Sequence, residues 1–392
     1  GNGSQNLDSQ RMAYDPLNAR LYVINGGSNS LSVYSVNLNT GGLASLPFSP
    51  VALPAGPAGQ QPNRWAWACV AIHPSGSPVV LGRDLLDVTT NPGQLASYVI
   101  TSTTATLATG SPYFTGDNVY PYSCAFSRDG SYIYTGGNRD TTAYAGFSVG
   151  ASTGVLTVLQ GSPFSSDGYW PIAFSADSQG RLFLHSYHNK QTGQLEVCTL
   201  ASGIPSAAAA SPFNSALDDG IFSLLHPAGF ILVADRSFHT VGVYRINGTG
   251  AGTTLAPVSG SPFASGAYGT TALALNAAGT FLYAANNWTR NLTRFSVDAS
   301  TGALSGAYVQ PVYTLGSSGY LTGIAYTTPS PELRGDLNLD GVVDAVDADL
   351  LARLLADSLL EFEIPAPENG DLDGNGLLDV VDLGLLRGEL AR

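Results

Sequence analysis

Residues 270–311 read TTALALNAAGTFLYAANNWTRNLTRFSVDASTGALSGAYVQP. Alternating, β-branched and aromatic residues form short runs separated by Gly279 and Gly302, which is the pattern of strands joined by tight turns. The predicted strands are Thr271–Leu275, Phe281–Ala285, Leu292–Val297 and an outer strand ending near Pro311. Because proline cannot donate to a strand ladder, the outer strand suits the edge of a sheet. The stretch therefore predicts a four-stranded unit.

The same unit recurs about every fifty residues. Its Pro-aromatic signals are Ser111-Pro112-Tyr113-Phe114, Ser162-Pro163-Phe164, Ser211-Pro212-Phe213 and Ser261-Pro262-Phe263, and its turn glycines are Gly76, Gly130, Gly180, Gly229 and Gly279. A four-stranded repeat of this length without helices predicts a β-propeller, so the fold class is mainly β. Inner strands are expected near residues 11, 68, 123, 171, 222, 271 and 321. This leaves two alternatives, six closed blades or a seventh incomplete blade that begins at Leu321–Thr327 and has an open edge.

Several phrases of the repeat resemble the lactonase-type (YVTN-like) propeller family over residues 11–328. They are Arg20-Leu-Tyr-Val-Ile24, Thr280-Phe-Leu-Tyr-Ala284 and Ser300-Thr-Gly302-Ala-Leu304. Relatives hydrolyse esters with polar residues at the channel, so the resemblance implies a lactonase-like hydrolase as one alternative. No motif carries catalytic positions across to this chain, and fold does not imply function. We therefore assign no catalytic residue and expect a non-catalytic propeller.

The end of the chain carries two calcium-loop patterns. Each has oxygen-bearing side chains at positions 1, 3, 5, 9 and 12, glycine at position 6 and a backbone carbonyl at position 7, as in an EF-hand loop. Ca²⁺ is a hard cation that takes about 6–8 oxygens, so two loops predict two ions. The predicted ligands are Asp336, Asn338, Asp340, Val342, Asp344 and Asp347 in the first loop, and Asp371, Asp373, Asn375, Leu377, Asp379 and Asp382 in the second.

Each loop leads into an apolar-periodic segment, and prolines stand where an ordinary EF-hand has its entering helix. This order over residues 334–392 resembles a dockerin domain. The resemblance implies a small α-helical module that folds on binding calcium and docks onto a cohesin domain. Dockerins often carry a partner-reading Ser-Thr pair at positions 10 and 11, whereas these positions here are apolar. They are the predicted partner-binding residues Ala345, Val346, Val380 and Val381.

Charge separates the two parts of the chain. Of the net charge of −13, residues 332–392 contribute 15 acidic and 4 basic side chains, and the remainder is nearly balanced. Crowded carboxylates repel one another without a metal, so we expect the tail to fold poorly unless calcium is bound. The predicted domains are a propeller (1–328), a short Pro-rich linker (329–333) and the calcium-binding module (334–392). The absence of a basic stripe argues against nucleic acid, and no apolar run approaches the ~20 residues of a membrane span.

Aromatic residues gather in the loops that feed the inner strands. Exposed aromatic rings stack on sugars or anchor partner proteins, whereas buried ones would pack between blades. The candidate ligand-binding residues, for a carbohydrate ligand, are Trp65, Trp67, Tyr120, Tyr122, Tyr169 and Trp170.

Other chemically distinctive residues are scattered. His73 and His226 follow inner strands and are expected to serve in turns. The three cysteines lie in apolar strand patterns and favour buried free thiols over a disulfide. Four sequons mark candidate glycosylation sites at Asn2, Asn247, Asn287 and Asn291.

Together these patterns predict a secreted, extracellular, non-catalytic assembly protein. Its tail attaches either to a cohesin-like scaffold or to another copy of the chain, in which case head-to-tail contacts build a filament. The alternative is an extracellular lactonase-like hydrolase or a carbohydrate-binding propeller that the tail tethers.

Overall fold

The computed structural model describes residues 11–38, 41–55, 65–85, 93–117, 119–137, 142–168, 170–186, 193–311, 323–326, 335, 337, 343–355, 370, 372 and 380–390. The chain divides into two compact units, one of residues 1–34 and 45–325 and one of residues 35–44 and 326–392.

Six antiparallel sheets confirm the predicted β-propeller. Blade 1 contains β1 (Met12–Asp15), β2 (Arg20–Asn25), β3 (Ser30–Val36), β4 (Leu43–Ser45) and β5 (Val51–Ala52). Blade 2 contains β6 (Trp65–Ile72), β7 (Val79–Leu85), β8 (Gln94–Ile100), β9 (Ala105–Leu107) and β10 (Tyr113–Phe114). Blade 3 contains β11 (Ser123–Phe126), β12 (Tyr132–Gly136), β13 (Ala143–Val149), β14 (Leu156–Val158) and β15 (Phe164–Ser165). Blade 4 contains β16 (Pro171–Ala176), β17 (Arg181–Ser186), β18 (Gln194–Ala201), β19 (Ile204–Ala207) and β20 (Phe213–Asn214). Blade 5 contains β21 (Gly220–His226), β22 (Phe230–Asp235), β23 (Thr240–Asn247), β24 (Thr254–Pro257) and β25 (Phe263–Ala264). Blade 6 contains β26 (Thr270–Leu275), β27 (Phe281–Asn286), β28 (Asn291–Val297) and β29 (Leu304–Pro311), and a 3₁₀ turn covers Gly250–Gly252 in blade 5.

The hydrophobic core lies between neighbouring blades. Tyr22 and Leu31 of blade 1, for example, cluster with Trp67 and Val70 of blade 2. Four further clusters join the other consecutive pairs of blades. Because each strand buries side chains on both faces in this arrangement, burial extends along whole strands, as it does in Phe230–Asp235.

The outer strand is broken in five of the six blades at the Ser-Pro signal. In each case a short strand after the proline pairs with the start of the third strand, while the piece before it pairs with the end. The serine hydroxyl accepts the backbone N–H of the third strand that has lost its ladder partner. These contacts are Ser49 Oγ to Val33 N (2.9 Å), Ser111 Oγ to Ser97 N (3.1 Å), Ser162 Oγ to Gly146 N (3.1 Å), Ser211 Oγ to Val197 N (3.1 Å) and Ser261 Oγ to Val243 N (2.9 Å). The repeated serine therefore satisfies a backbone donor, which would otherwise cost about 1–3 kcal/mol if it were buried without a partner.

The prediction of a seventh inner strand at Leu321–Thr327 is wrong for the residues of that stretch that the structure describes. Residues 323–326 form no strand, and the remainder of that stretch lies outside the described residues. A side-chain carbon at Gly323 would stand 3.1 Å from Met12 Cβ, so this segment lies beside the inner strand of blade 1. Of the two alternatives, six blades is confirmed.

The second unit contains two helices, α1 (Ala345–Leu355) and α2 (Val380–Leu390). They occupy the apolar-periodic segments that follow the two calcium-loop patterns. Each has an aspartate in its first turn and an arginine in its last, which is the order that complements a helix dipole. Their small shared core consists of Leu337, Ala348, Leu351 and Leu386. Neither helix, nor any other among the described residues, is long and apolar enough to cross a membrane.

Candidate functional site

The inner strands enclose a cavity of about 240 Å³. Its walls come from blades 1 to 5, and the lining residues are Ala13, Tyr14, Val70, Ala71, Ile72, Ser123, Cys124, Ala125, Phe174, Phe222 and Ser223. Ser223 Oγ lies 2.6 Å from Ser175 Oγ of the neighbouring blade. The walls thus offer hydroxyl, thiol and apolar groups, and this described lining holds no carboxylate, imidazole or cationic side chain. General acid–base catalysis requires such a group within hydrogen-bond reach of the substrate.

The cysteines confirm the prediction of buried free thiols. A hydrogen bond with the Cys69 thiol, together with burial, raises the pKa of Cys124 well above its ordinary value. Burial likewise raises the pKa of Cys198 to about 12. The thiolate is the nucleophilic form of cysteine, so these two thiols are poor nucleophiles at neutral pH.

The two histidines also take the structural role expected of turn residues. His226 Nε2 lies 2.7 Å from the carbonyl oxygen of Gly279 in the next blade. His73 Nδ1 lies 2.7 Å from Ser75 Oγ, and its ring meets Phe126 of the next blade edge-on at 5.4 Å. Both imidazoles therefore connect neighbouring blades.

Three of the six predicted aromatic ligand-binding residues are buried. Trp67 is fully buried and donates from Nε1 to Asn29 Oδ1 at 2.9 Å, and Tyr120 and Tyr122 are buried as well. Trp170 is half-buried with a φ of 56°. The side chain of Trp65 and the whole of Tyr169 lie outside the described residues. Burial leaves the rings of Trp67, Tyr120 and Tyr122 off the open surface, and Trp67 joins the hydrophobic cluster between blades 1 and 2. The ligand-binding role of the six residues stays a prediction.

Two of the buried carboxylates in blades 4 and 5, Glu196 and Asp235, have raised pKa values. Asp235 accepts backbone N–H groups from Asp218, Asp219, Ser237 and Phe238 at 2.8–3.3 Å, which ties two loops together. Glu196 Oε1 accepts the Ser166 hydroxyl and, at 3.1 Å, the Gly168 N–H. Burial raises the pKa of both carboxyls, and these hydrogen bonds oppose the rise.

Replacing Glu196 with Gln should change how stability depends on pH. A carboxyl whose folded pKa is raised contributes stability at low pH, and this is lost as pH rises from the ordinary glutamate range through the folded pKa. Glu196→Gln keeps an acceptor for Ser166 and Gly168 but does not titrate. We compare the unfolding free energy of the variant with that of the wild type. As pH rises through this range, the difference should shift in favour of the variant by up to about 1.4 kcal/mol per pH unit. Urea unfolding across the acidic-to-neutral range measures this slope.

Asp298→Asn is the control, because the contribution of Asp298 to stability depends on pH with the opposite sign. Hydrogen bonds from Ser300 and Thr301 lower the pKa of exposed Asp298 to about 2. Its contribution is therefore present above the unfolded pKa and is lost as pH falls toward about 2. Parallel pH profiles for Glu196→Gln and the wild type would contradict the prediction.

The calcium loops are described only in part. Nine of the twelve predicted ligands lie outside the described residues, namely Asp336, Asn338, Asp340, Val342, Asp371, Asp373, Asn375, Leu377 and Asp379. Within the described part of the chain, no three His, Cys, Asp or Glu side chains come together as a metal-binding group. Asp344, Asp347 and Asp382 can be placed.

The two position-12 aspartates make the same contact in both loops. Asp347 and Asp382 are fully buried. Asp347 Oδ1 accepts the N–H of Leu337 at 2.7 Å, and Asp382 Oδ1 accepts the N–H of Leu372 at 2.8 Å, so each joins position 12 to position 2. Asp347 Oδ2 also accepts the N–H of Asp344, at 2.9 Å. A buried carboxylate that closes an oxygen-rich loop fits a hard divalent cation, because the cation supplies the charge that offsets burial.

The predicted partner-binding residues lie on the surface of the second unit. Val380 is 74% exposed, Val346 and Val381 are each 51% exposed, and Ala345 is exposed as well. None of these three valines belongs to the hydrophobic core of the second unit.

The candidate glycosylation sites differ in accessibility. Asn247 is exposed, whereas Asn287 is fully buried, so its amide is not accessible in the folded chain. Asn291 is half-buried and accepts at Oδ1 from Asn286 and Thr289. Asn2 lies outside the described residues.

The chain resembles solved structures in its fold. No protein-family model and no curated protein matches the chain. The periplasmic gluconolactonase of Pseudomonas aeruginosa is similar, with a TM-score of 0.60 at 15% identity over 78% of this chain and 85% of that one. The chain has a lactonase-like β-propeller fold.

Two other solved structures share the architecture. A functionally unknown protein of Desulfotomaculum acetoxidans has a TM-score of 0.54 at 18% identity, over 77% of this chain and 86% of that one. Hydrazine synthase of Kuenenia stuttgartiensis has a TM-score of 0.56 at 14% identity, over 84% of this chain and 92% of that one. Proteins with such different names share this fold, so the similarity carries no activity to this chain.

Proposed function

We propose that this protein is a secreted, non-catalytic attachment protein whose calcium-ordered tail binds a second protein. The observation that carries the proposal is the loop-closing contact made twice, by buried Asp347 and by buried Asp382, 35 residues apart. Two loops with the same oxygen pattern and the same closing contact fit two Ca²⁺ ions. Loops of this type span calcium affinities from cytosolic to extracellular concentrations, and the extracellular setting is part of the proposal.

The exposed apolar residues at the start of each helix support a protein partner. Val346, Val380 and Val381 lie in water in the isolated chain, and burying them against another protein would release that apolar surface from contact with water. Another copy of the chain is the partner we favour, because apolar residues stand where dockerins often carry a partner-reading Ser-Thr pair. If the tail of one copy binds the propeller of the next, the contact does not close and a filament results. A cohesin-like scaffold is the other partner class.

The test compares assembly of the full chain in calcium and in chelator by light scattering and electron microscopy. We expect assemblies in calcium and monomers in chelator. Val381→Asp should abolish assembly, because it would bury an unpaired charge at the contact. Val158→Asp is the matched control, since Val158 is equally exposed but lies on an outer strand of blade 3.

Monomers under both conditions would exclude self-assembly. Capture of the chain by a cohesin domain, lost with Val381→Asp, would then identify the scaffold as the partner. The absence of both assembly and capture would refute the proposal.

Lactone hydrolysis is the second candidate, favoured by the gluconolactonase-like fold and by the cavity within the inner strands. Turnover of gluconolactone by the purified chain that disappears in Ser223→Ala would support it. Hydrolysis by general acid–base catalysis would also require a carboxylate or an imidazole from a residue other than those that line the cavity.

A further inference from the structure

One end of blades 5 and 6 presents aromatic rings to solvent. Tyr268 precedes the inner strand of blade 6, Trp288 lies in the hairpin between its second and third strands, and His239 lies in the equivalent hairpin of blade 5. Tyr268 is 59% exposed and Trp288 is 50% exposed. We call these three residues the aromatic platform. It is independent of the calcium-binding tail and of the function proposed above.

The rings of the platform are held in place. The His239 ring meets Tyr268 at 4.8 Å and Trp288 at 5.1 Å, with interplanar angles of 82° and 75°. The indole also lies against Gly269, where a side-chain carbon would stand 2.8 Å from Trp288 Cγ, and Gly269 has a φ of +76°. The backbone N–H groups of Trp288 and Thr289 donate to the carbonyl oxygen of Tyr268 at 3.2 and 3.3 Å. These bonds tie the loop that contains Tyr268 to the hairpin that contains Trp288. A ligand would therefore meet rings that are already ordered, which reduces the entropy cost of binding.

Aromatic residues precede the inner strands of other blades as well, but the fold does not require an aromatic residue at both of these positions in every blade. The corresponding hairpin of blade 1 turns through Gly26, Gly27 and Ser28, and the residue of blade 5 that corresponds to Tyr268 is Asp218. Exposing a tryptophan and a tyrosine contributes little to a core. Their presence in one place is thus better explained by a ligand than by packing.

Polar groups surround the platform. Arg236 in the same hairpin as His239 forms an ion pair with Asp219 at 2.5 Å, and its backbone oxygen lies 2.8 Å from His239 Nδ1. The Thr289 hydroxyl accepts the backbone N–H of Tyr268 at 3.1 Å, and the Ser237 hydroxyl lies 3.5 Å from Asp219 Oδ2. Tyr and Trp with a polar rim suit a ligand that has one apolar face and polar edges. A pyranose ring with equatorial hydroxyls has this character, because its C–H groups form flat faces and its hydroxyls point outward.

We propose that the aromatic platform of His239, Tyr268 and Trp288 is a carbohydrate-binding site for β-linked pyranose oligosaccharides. The sugar stacks on the Trp288 and Tyr268 rings, and the polar groups of the rim bind its hydroxyls.

Cellohexaose and chitohexaose are suitable probes, titrated into the full chain by calorimetry and by tryptophan fluorescence. Of the four tryptophans, Trp67 is buried and Trp288 is half-exposed, so stacking should shift the Trp288 emission and protect it from acrylamide quenching. We expect Trp288→Ala to weaken binding by about ten-fold or more and to remove the fluorescence change. Trp288→Phe, which keeps a ring, should retain most of the affinity.

Phe114→Ala is the matched control, since Phe114 is 56% exposed on an edge strand of blade 2. It should bind both probes as the wild type does. Circular dichroism verifies that each variant is folded. No binding of either probe by the wild type, or equal binding by Trp288→Ala, would overturn the proposal. Self-association lost in both Trp288→Ala and Tyr268→Ala, without sugar binding, would reassign the platform to a contact between copies. Because the sugar-binding readouts do not require the tail, a failure of sugar binding leaves the calcium-dependent attachment untouched.

Discussion

Removing calcium is expected to unfold the tail and to leave the propeller folded. Among the described residues, the core around α1 and α2 has four buried side chains with partly buried hydrophobic residues packed against them, whereas the tail carries a large excess of carboxylates that repel one another without a cation. Metal binding to the folded state alone adds about 2.7 kcal/mol per site when free calcium is 100 times the Kd. The stabilisation from two such sites is large compared with the stability that so small a core provides.

The measurement is the helical circular dichroism signal of the full chain during calcium titration and after chelation. The propeller consists of strands, so the helical signal reports mainly on α1 and α2. Asp347→Ala should abolish the calcium-dependent signal of the first loop, because it removes a predicted ligand and the acceptor for the Leu337 N–H. Asp382→Ala should do the same in the second loop.

Asp349→Ala is the matched control in the same helix. Asp349 is exposed and pairs with Arg353 at 3.9 Å, so the substitution should cost no more than about 1 kcal/mol. A helical signal of equal size in calcium and in chelator would contradict the prediction. So would equal effects of Asp347→Ala and Asp349→Ala.

The sequence alone predicted the propeller because its local signals agree with one another. The alternating runs, the turn glycines and the fifty-residue period all coincide with the observed strands, and Gly76, Gly130, Gly180, Gly229 and Gly279 all adopt positive φ. In the sequence, the serine before each repeated proline stands out only by its regular spacing. Its hydroxyl bonds to a backbone N–H in a different strand, which is a contact between distant residues that no local pattern encodes.

The candidate site was less predictable for a related reason. Trp67 and Trp288 are both aromatic residues near the same end of a blade, yet Trp67 is buried and Trp288 is half-exposed. What separates them is the neighbouring blade. Trp67 packs with Tyr22 and Leu31 of blade 1, whereas the Trp288 ring rests on Gly269 of its own blade and His239 of blade 5. Only the assembled propeller distinguishes a core aromatic from an exposed one.

Substituting Gly130 with Ala should destabilise the propeller more than the same change at Gly180. Both glycines end the turn after an inner strand with positive φ, +76° and +71°, so both substitutions place a side chain in the left-handed region, at a cost of about 1–2 kcal/mol. At Gly180 nothing lies within 4 Å of the added carbon. At Gly130 the added carbon would stand 2.0 Å from His73 Nε2 of the preceding blade.

His73 cannot easily move away from that clash. Its Nδ1 is held by Ser75, at 2.7 Å from the hydroxyl and 3.1 Å from the backbone N–H, and its ring packs edge-on against Phe126. We expect Gly130→Ala to lose a further ~1–3 kcal/mol relative to Gly180→Ala in the unfolding free energy, measured by denaturant titration. His73→Ala removes contacts of its own and so lowers stability, but in a His73→Ala background Gly130→Ala should cost no more than Gly180→Ala, since the ring that the new carbon meets is absent. Equal losses at the two glycines in the wild-type background, or an unchanged extra cost of Gly130→Ala in the His73→Ala background, would contradict the prediction.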